Sequence, residues 1–375
     1  MRSHWVLMAA ALPLFVASVA CQRTKTDSTE EDTKRATLTP TPAATVLPAR
    51  ADQEDARAIV AALEAKVQSG DLSGFYSPDG IDLVSTNREG KVTTSPFPAA
   101  IHKHGESIGG AWVAPDGALF AAGFMFTGVP GPDTGAVYHR DVKGTFRIGY
   151  TKPAKELADV FGRTANDVYA GGKDVLVHWD GQAWTDVPTE GVLGSILGIY
   201  AHESDLFLVT NEGNDGHIFV RHKDGAWKQE TTTSSCFLRA IHGAGTAVWA
   251  GGDCGLVLRR TPEGKWKEER RQAGGTIFQL WATSEKEVHA ATIDLIFSRG
   301  DGRWSRVEVP STRIFGLTGS GHDVYALGVD GIYRGTGSTF TKTTLDANAC
   351  QHLVAHDGTV SCLRERRKPA TNVPR

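Results

Sequence analysis

One short hydrophobic pattern returns about every forty residues along most of this chain, and that recurrence limits what it can fold into more than any other feature. The stretches "ALFAAG" (118–123), "DVYAGG" (167–172), "DLFLVT" (205–210), "AVWAGG" (247–252), "EVHAAT" (287–292), "DVYALG" (323–328) and "TVSCLR" (359–364) align. Their central apolar residues are Leu119, Val168, Leu206, Val248, Val288, Val324 and Val360. In "NDVYAGGKDVLVHWDGQAWTDV" (166–187) apolar residues alternate as in strands, and "GG" and "DG" supply the breaks. Three strands joined by two tight turns cannot bury both faces alone. Each unit therefore has to be covered by its neighbours.

A second landmark recurs independently. A glycine turn is followed by an aromatic residue at Phe146, Trp184, Trp227, Trp266, Trp304 and Phe340. Glycine supplies the positive φ of a tight hairpin, and the ring is placed to cover the outer layer of one unit against the next. The two ends of the pattern are half units. "CQHLVAHDGTVSCLRE" near the C-terminus holds two strands, and "IDLVSTNREGKVTTSPF" (81–97) holds two more. Residues 350–364 then supply the inner pair and 81–97 the outer pair of one sheet. This predicts an all-β fold, a seven-bladed β-propeller over residues 80–364, closed by a composite N-/C-terminal blade with no free sheet edge at the seam. A charged tail, 365–375, follows.

The units resemble the WD40/YVTN and BNR-like propeller repeats found in bacterial secreted and surface lipoproteins. Gly171/Gly172 with Trp184 and Gly251/Gly252 with Trp266 also look kelch-like, at a shorter period. The sialidase Asp-box, S-x-D-x-G-x-x-W, is not met: "HWDGQAW" and "HKDGAW" put Asp directly before Gly and lack the hydroxyl residue. The resemblance implies a fold and not a chemistry.

Residues 1–20, "MRSHWVLMAAALPLFVASVA", have Arg2 in a short polar start and an apolar run from Trp5 to Val16, the pattern of a secretory signal peptide. "SVAC" is similar to a bacterial lipobox, in which Cys21 is lipidated (a palmitate-type anchor) and becomes the mature N-terminus; Ser18 departs from that pattern. Cleavage after Ala20 without a lipid fits the same residues. Gln22 is compatible, by the lipoprotein sorting rule, with an outer-membrane destination. The expected location is thus the bacterial cell envelope, with a secreted or periplasmic protein as the alternative. Residues 21–52, rich in Thr and Pro, read as a flexible tether. In 53–70, Ile59, Leu63 and Val67 form one stripe of a short amphipathic helix.

Five cysteines leave one at the signal junction and four in the later half. A hairpin about Ala244–Gly245 sets Cys236 opposite Cys254, within disulfide reach. Cys350 and Cys362 share a unit, but a turn at Asp357–Gly358 pairs Cys350 nearer Glu365, so their register is off by about three residues. Four buried free thiols are the alternative.

No recognisable catalytic set is present, and an enzyme is the less favoured reading. "GESIG" (105–109) matches a nucleophile elbow around Ser107, yet a strand pattern follows where a helix is required. "HKH" (102–104) lacks a third metal ligand nearby, and "NEGNDGH" (211–217) lacks the spacing of a calcium-binding loop. Arg163, Arg239 and Arg313 are available for a sialidase-like cluster, but no spacing organises them. No metal or cofactor is expected. With 40 Lys and Arg against 43 Asp and Glu, a nucleic-acid partner has no electrostatic support.

The longest insert, "FMFTGVPGPDTG" (124–135), and "NEGNDGH" fall at the same connection of their units, on one face of the ring. Phe124, Met125 and Phe126, with Asn211 and Asp215, are the expected ligand-binding residues. The reading is a monomeric, non-catalytic, envelope-anchored propeller binding a protein or a glycan. The alternatives are a secreted glycan hydrolase or lyase and a structural envelope component.

Overall fold

The computed structural model describes residues 81–96, 106–125, 134–153, 155–223, 225–271, 275–336 and 339–365, all within one compact unit, Ala56–Arg375. The expected signal peptide, tether and N-terminal helix, and the tail after Glu365, lie outside these residues, as does His102–His104.

The described residues form seven four-stranded antiparallel sheets. Blades 1 to 6 span residues 106–153, 157–186, 195–233, 238–270, 279–307 and 314–342, each with its strands in chain order from the inside outward. Blade 7 is composite. From the axis outward it runs Cys350–His356, Thr359–Glu365, Ile81–Thr86 and Val92–Pro96. The innermost strands of the blades contact one another in cyclic order, and that of blade 7 closes on that of blade 1. The chain is a seven-bladed β-propeller.

Seven separate hydrophobic clusters fill the seams between adjacent blades. Because each blade is packed on both faces, its second strand is apolar nearly throughout; Ala247–Gly252 is buried at every position. The glycine doublets follow from the same crowding. A Cβ on Gly171 would meet the Ile196 and Ile199 side chains of blade 3 at 3.1 and 3.2 Å, while one on Gly172 would run into the Glu156 carbonyl. The outer aromatics Phe146, Trp184, Trp227, Trp266, Trp304 and Phe340 each pack into the seam with the preceding blade. Two are also hydrogen-bonded across it: Trp227 Nε1 donates to Pro188 O (2.8 Å) and Trp266 Nε1 to Glu230 Oε2 (3.0 Å).

The seam of the ring is built by alternation. Ile81 pairs with Glu365 and Thr86 with Val360, so that Leu83 turns toward blade 1 and Val84 toward blade 6. Both side chains are buried, worth roughly 1.5–3 kcal/mol each. Ser85 Oγ and Ser361 Oγ lie 2.7 Å apart, and Arg88 reaches Asp323 of blade 6 at 2.8 Å. Closure is thus sealed by residues from both ends of the described chain.

Both disulfides are formed. Cys236 and Cys254, 5.9 Å apart at Cα, join the lead-in of blade 4 to the turn after its second strand. Cys350 and Cys362 are 5.6 Å apart at Cα. A bulge between Cys350 and His352 shifts the register, so Cys350 faces Arg364 rather than Glu365 and sits diagonally across from Cys362.

Candidate functional site

All seven innermost strands run the same way, so the ring has an upper face where they begin and a lower face where they turn into their second strands. The second strand of blade 1 ends at the upper face. This strand, Leu119–Met125, runs two residues further than the sequence suggested, with Phe124 paired to Ser107 and to Gly135. Phe124 and Met125 are therefore strand residues, Phe124 being partly buried, and Phe126 lies outside the described residues. The reason is local: the inner strand already begins at Glu106, which gives the second strand a partner up to Met125.

Asn211 and Asp215 close a two-residue hairpin instead of a wide loop, and their side chains are engaged across a seam. Asn211 receives the Leu238 N–H (2.9 Å) and donates to the Leu238 carbonyl (2.8 Å); Asp215 accepts from Ser235 N (2.9 Å). They tie blade 3 to the start of blade 4.

What the upper face exposes was not singled out from the sequence. A bulge recurs near the start of the inner strand in blades 1, 2, 3, 4, 6 and 7, leaving Gly109, Ala158, Leu197, Arg239, Phe315 and Gln351 outside the ladder. Bulges re-aim side chains, here around the upper mouth. Arg239 is held by Asp253 (2.8 Å), whereas Phe315 is 40% exposed. Val329, 46% exposed, lies in the turn after the second strand of the same blade, with its N–H on the Arg313 carbonyl (3.1 Å), and Leu193 is exposed on the same face.

The lower mouth holds a cavity of about 540 Å³ to which every blade contributes. Trp112, Phe161, Tyr200 and Trp281 line it, and with His242, which stands between the last two, they form an arc of rings on five consecutive inner strands. Successive centroids lie 5.6, 5.1, 5.7 and 4.3 Å apart. Glycines let the rings lean across the seams. A Cβ on Gly162 would come within 2.9 Å of the Trp112 ring and one on Gly243 within 2.7 Å of the Tyr200 ring, and Gly319 receives the Trp281 indole. Blades 6 and 7 carry only Thr318 and Val354 at the equivalent register, so the cavity opens on that side. The five rings are far apart in sequence. The signal that finds them is their shared position opposite Phe120, Tyr169, Phe207, Trp249 and His289 of the second strands.

Inner strands are sheet edges with backbone groups turned to the channel, and polar side chains of the preceding blade satisfy some of them. Asp159 Oδ2 accepts from Ile199 N (2.8 Å), Gln279 from Leu317 N at the equivalent place three blades on, and His242 Nδ1 from Ala282 N (3.1 Å). Enclosure shapes their titration. Burial pushes the Asp159 carboxyl up to about 7, opposed by its N–H bonds from Ile199 and Val160. Burial lowers His242 to about 3 and His352 to about 4, so both are neutral at pH 7.

Ser107 lies in an inner strand, not on a strand-to-helix elbow. Arg163, at the lower mouth, is bound to Asp167 (2.7 Å), while Arg239 and Arg313 stand at the upper side, so the three do not converge. Among the described residues no group of three or more His, Cys, Asp or Glu is placed to hold a metal ion. No described helix is long and apolar enough to cross a membrane.

No protein-family profile and no curated protein sequence matches the chain. Solved structures do. The WD40 β-propeller domain of Doa1 superposes with a TM-score of 0.54 at 10% identity, over 69% of this chain and 93% of that one. YCF48 bound to D1 peptide gives 0.54 at 13% identity, over 77% and 97%. The extracellular domain of the hybrid two-component system protein BT4673 from B. thetaiotaomicron gives 0.54 at 11%, over 76% and 40%. At these identities the likeness establishes the fold.

Proposed function

We propose that this propeller is a non-catalytic, envelope-anchored binding protein whose upper face receives an extended segment of a partner protein. The observation that carries the reading is the exposure of Phe315, Val329 and Leu193, large apolar side chains on the upper face, where Arg239, Asn211 and Asp215 are engaged by hydrogen bonds. Exposed apolar surface next to satisfied polar groups is the usual form of a protein contact. The ring itself, held by seams and disulfides, can present such a rim without rearranging. A peptide is the favoured occupant because a similar propeller, YCF48, was solved with one bound. The anchor is the lipid on Cys21, with mass spectrometry of the mature N-terminus as its check.

The test compares affinity capture from an envelope extract by the wild-type chain and by a Phe315→Ser/Val329→Ser variant of equal melting temperature. A protein held by the wild type and lost by the variant supports the reading. The same protein retained by both, or a ligand that survives protease treatment of the extract, overturns it.

A further inference from the structure

We propose that the lower mouth of the channel is a second, separate site, a receptor for one or two rings of a neutral sugar. Its volume, about 540 Å³, falls within the range of roughly 300–1,000 Å³ usual for small-ligand pockets. Size alone would not make it a site. Unpartnered polar groups do.

The Tyr200 side chain is 4% exposed and Thr318 7%, and both line the cavity. Neither hydroxyl has a hydrogen-bond partner among the described residues, and burial raises the Tyr200 phenol so that it stays protonated. The Trp112 indole N–H on the same wall is likewise without a partner there. Neither hydroxyl is sealed off: both open onto the cavity, where water or a ligand completes them, and the wall also holds a fully buried donor without a partner, Trp281 Nε1. Two such groups from different blades share one cavity with a free indole donor.

The composition of the wall selects the ligand. Aromatic rings occupy one side, supplied by blades 1, 2, 3 and 5, and small residues the other, Thr318, Gly319, Ser320, Val354 and Ala355. The charged members are already paired or on the rim. Arg163 is held by Asp167 (2.7 Å) and by the Asp205 carbonyl (2.8 Å), and Glu203 is exposed; His202 and His356 complete the border. Hydroxyls that both donate and accept, an indole donor and apolar ring faces match a sugar, whose C–H face packs on arenes while its hydroxyls exchange hydrogen bonds. An anion would need a free cation. An alkylammonium would need a carboxylate among the rings, and the one carboxylate of the lining, Glu203, is exposed at the rim.

The experiment titrates the full-length chain with maltose, cellobiose and N,N′-diacetylchitobiose, read by tryptophan fluorescence and calorimetry, with tetramethylammonium as a fourth probe. At least one disaccharide is expected to bind saturably. Tyr200→Phe and Thr318→Val, which remove only the unpaired hydroxyls and leave melting unchanged or slightly raised, should each weaken it about tenfold or more. Phe315→Ser, on the opposite face, should leave it unchanged. Co-sedimentation with insoluble chitin or cellulose separates two sources of the same chemistry: binding there as well marks a receptor for chain ends, and binding of the disaccharide alone marks one for free sugar. The proposal is overturned if none of the three disaccharides saturates, if both hydroxyl variants bind as the wild type does, or if tetramethylammonium is the only probe that binds.

Discussion

Replacing Asp159 with Asn tests how the channel wall is held together. In the folded chain this carboxyl is pushed up to about 7 from an ordinary 3.8, because burial penalises the charge more than two N–H bonds reward it. Its folded value lies above its unfolded value, so the folded state holds the proton more tightly. The resulting stabilisation is full below about pH 4 and is lost progressively as pH rises toward 7. A gap of about three units at about 1.36 kcal/mol each bounds the loss at about 4 kcal/mol. Asparagine cannot ionise and so removes that loss. It keeps one acceptor for the Ile199 N–H at 2.8 Å but gives up the second, from Val160 at 2.9 Å, which costs about 1 kcal/mol. The variant should therefore be about 1 kcal/mol less stable than wild type at pH 4 and about 2–3 kcal/mol more stable at pH 8. Urea unfolding at half-unit steps from pH 4 to 8.5 measures both. The difference between the two curves cancels the opposite contributions of carboxylates such as Asp167 and Asp323, which are held below their usual range. A difference curve that is flat, or that falls with rising pH, refutes the reasoning.

Three further outcomes are expected. Leu83→Ala and Leu363→Ala, on adjacent strands of the composite blade, should each cost about 2–5 kcal/mol by calorimetry or denaturant unfolding, since both are buried against blade 1. Gly243→Ala places a methyl group 2.7 Å from the Tyr200 ring and should cost about 1–3 kcal/mol, whereas Gly213→Ala, with nothing within 4 Å, should cost only about 1 kcal/mol for its positive φ. Reduction of the Cys236–Cys254 bond should lower stability by about 2–4 kcal/mol, and alkylation after reduction should label both cysteines; equal melting curves with and without reductant would contradict this.

Much of the ring was readable before any coordinates. The recurring strand, the glycine turns and the half units at 81–97 and 350–364 lead to seven blades and a composite seam, because each of these is a property of one unit repeated. The outer rings at Trp184, Trp227 and Trp266 and the pairing of Cys236 with Cys254 were legible for the same reason: strand register within one hairpin settles where those side chains stand. The pairing of Cys350 with Cys362 was harder to read, since a bulge moves the register by a residue and leaves no mark in composition.

The candidate sites were scarcely legible. Asn211 and Asp215 look like a loop offering free oxygens, but their partners, Leu238 and Ser235, lie in the next blade and in the link leading to it. Phe315 stands at no landmark of the repeat, and only the bulge that leaves it outside the ladder makes it 40% exposed. Trp112, Phe161, Tyr200, His242 and Trp281 each resemble any strand aromatic, and only ring closure brings their centroids within about 6 Å of one another. By itself the sequence determined the repeating unit, its turns and the way its ends meet, since strand alternation and turn chemistry act over a few residues. Tertiary structure alone decided which side chains share the channel, which polar groups find partners, and where a carboxyl titrates. Those depend on contacts between units, whose geometry exists only once the ring has closed.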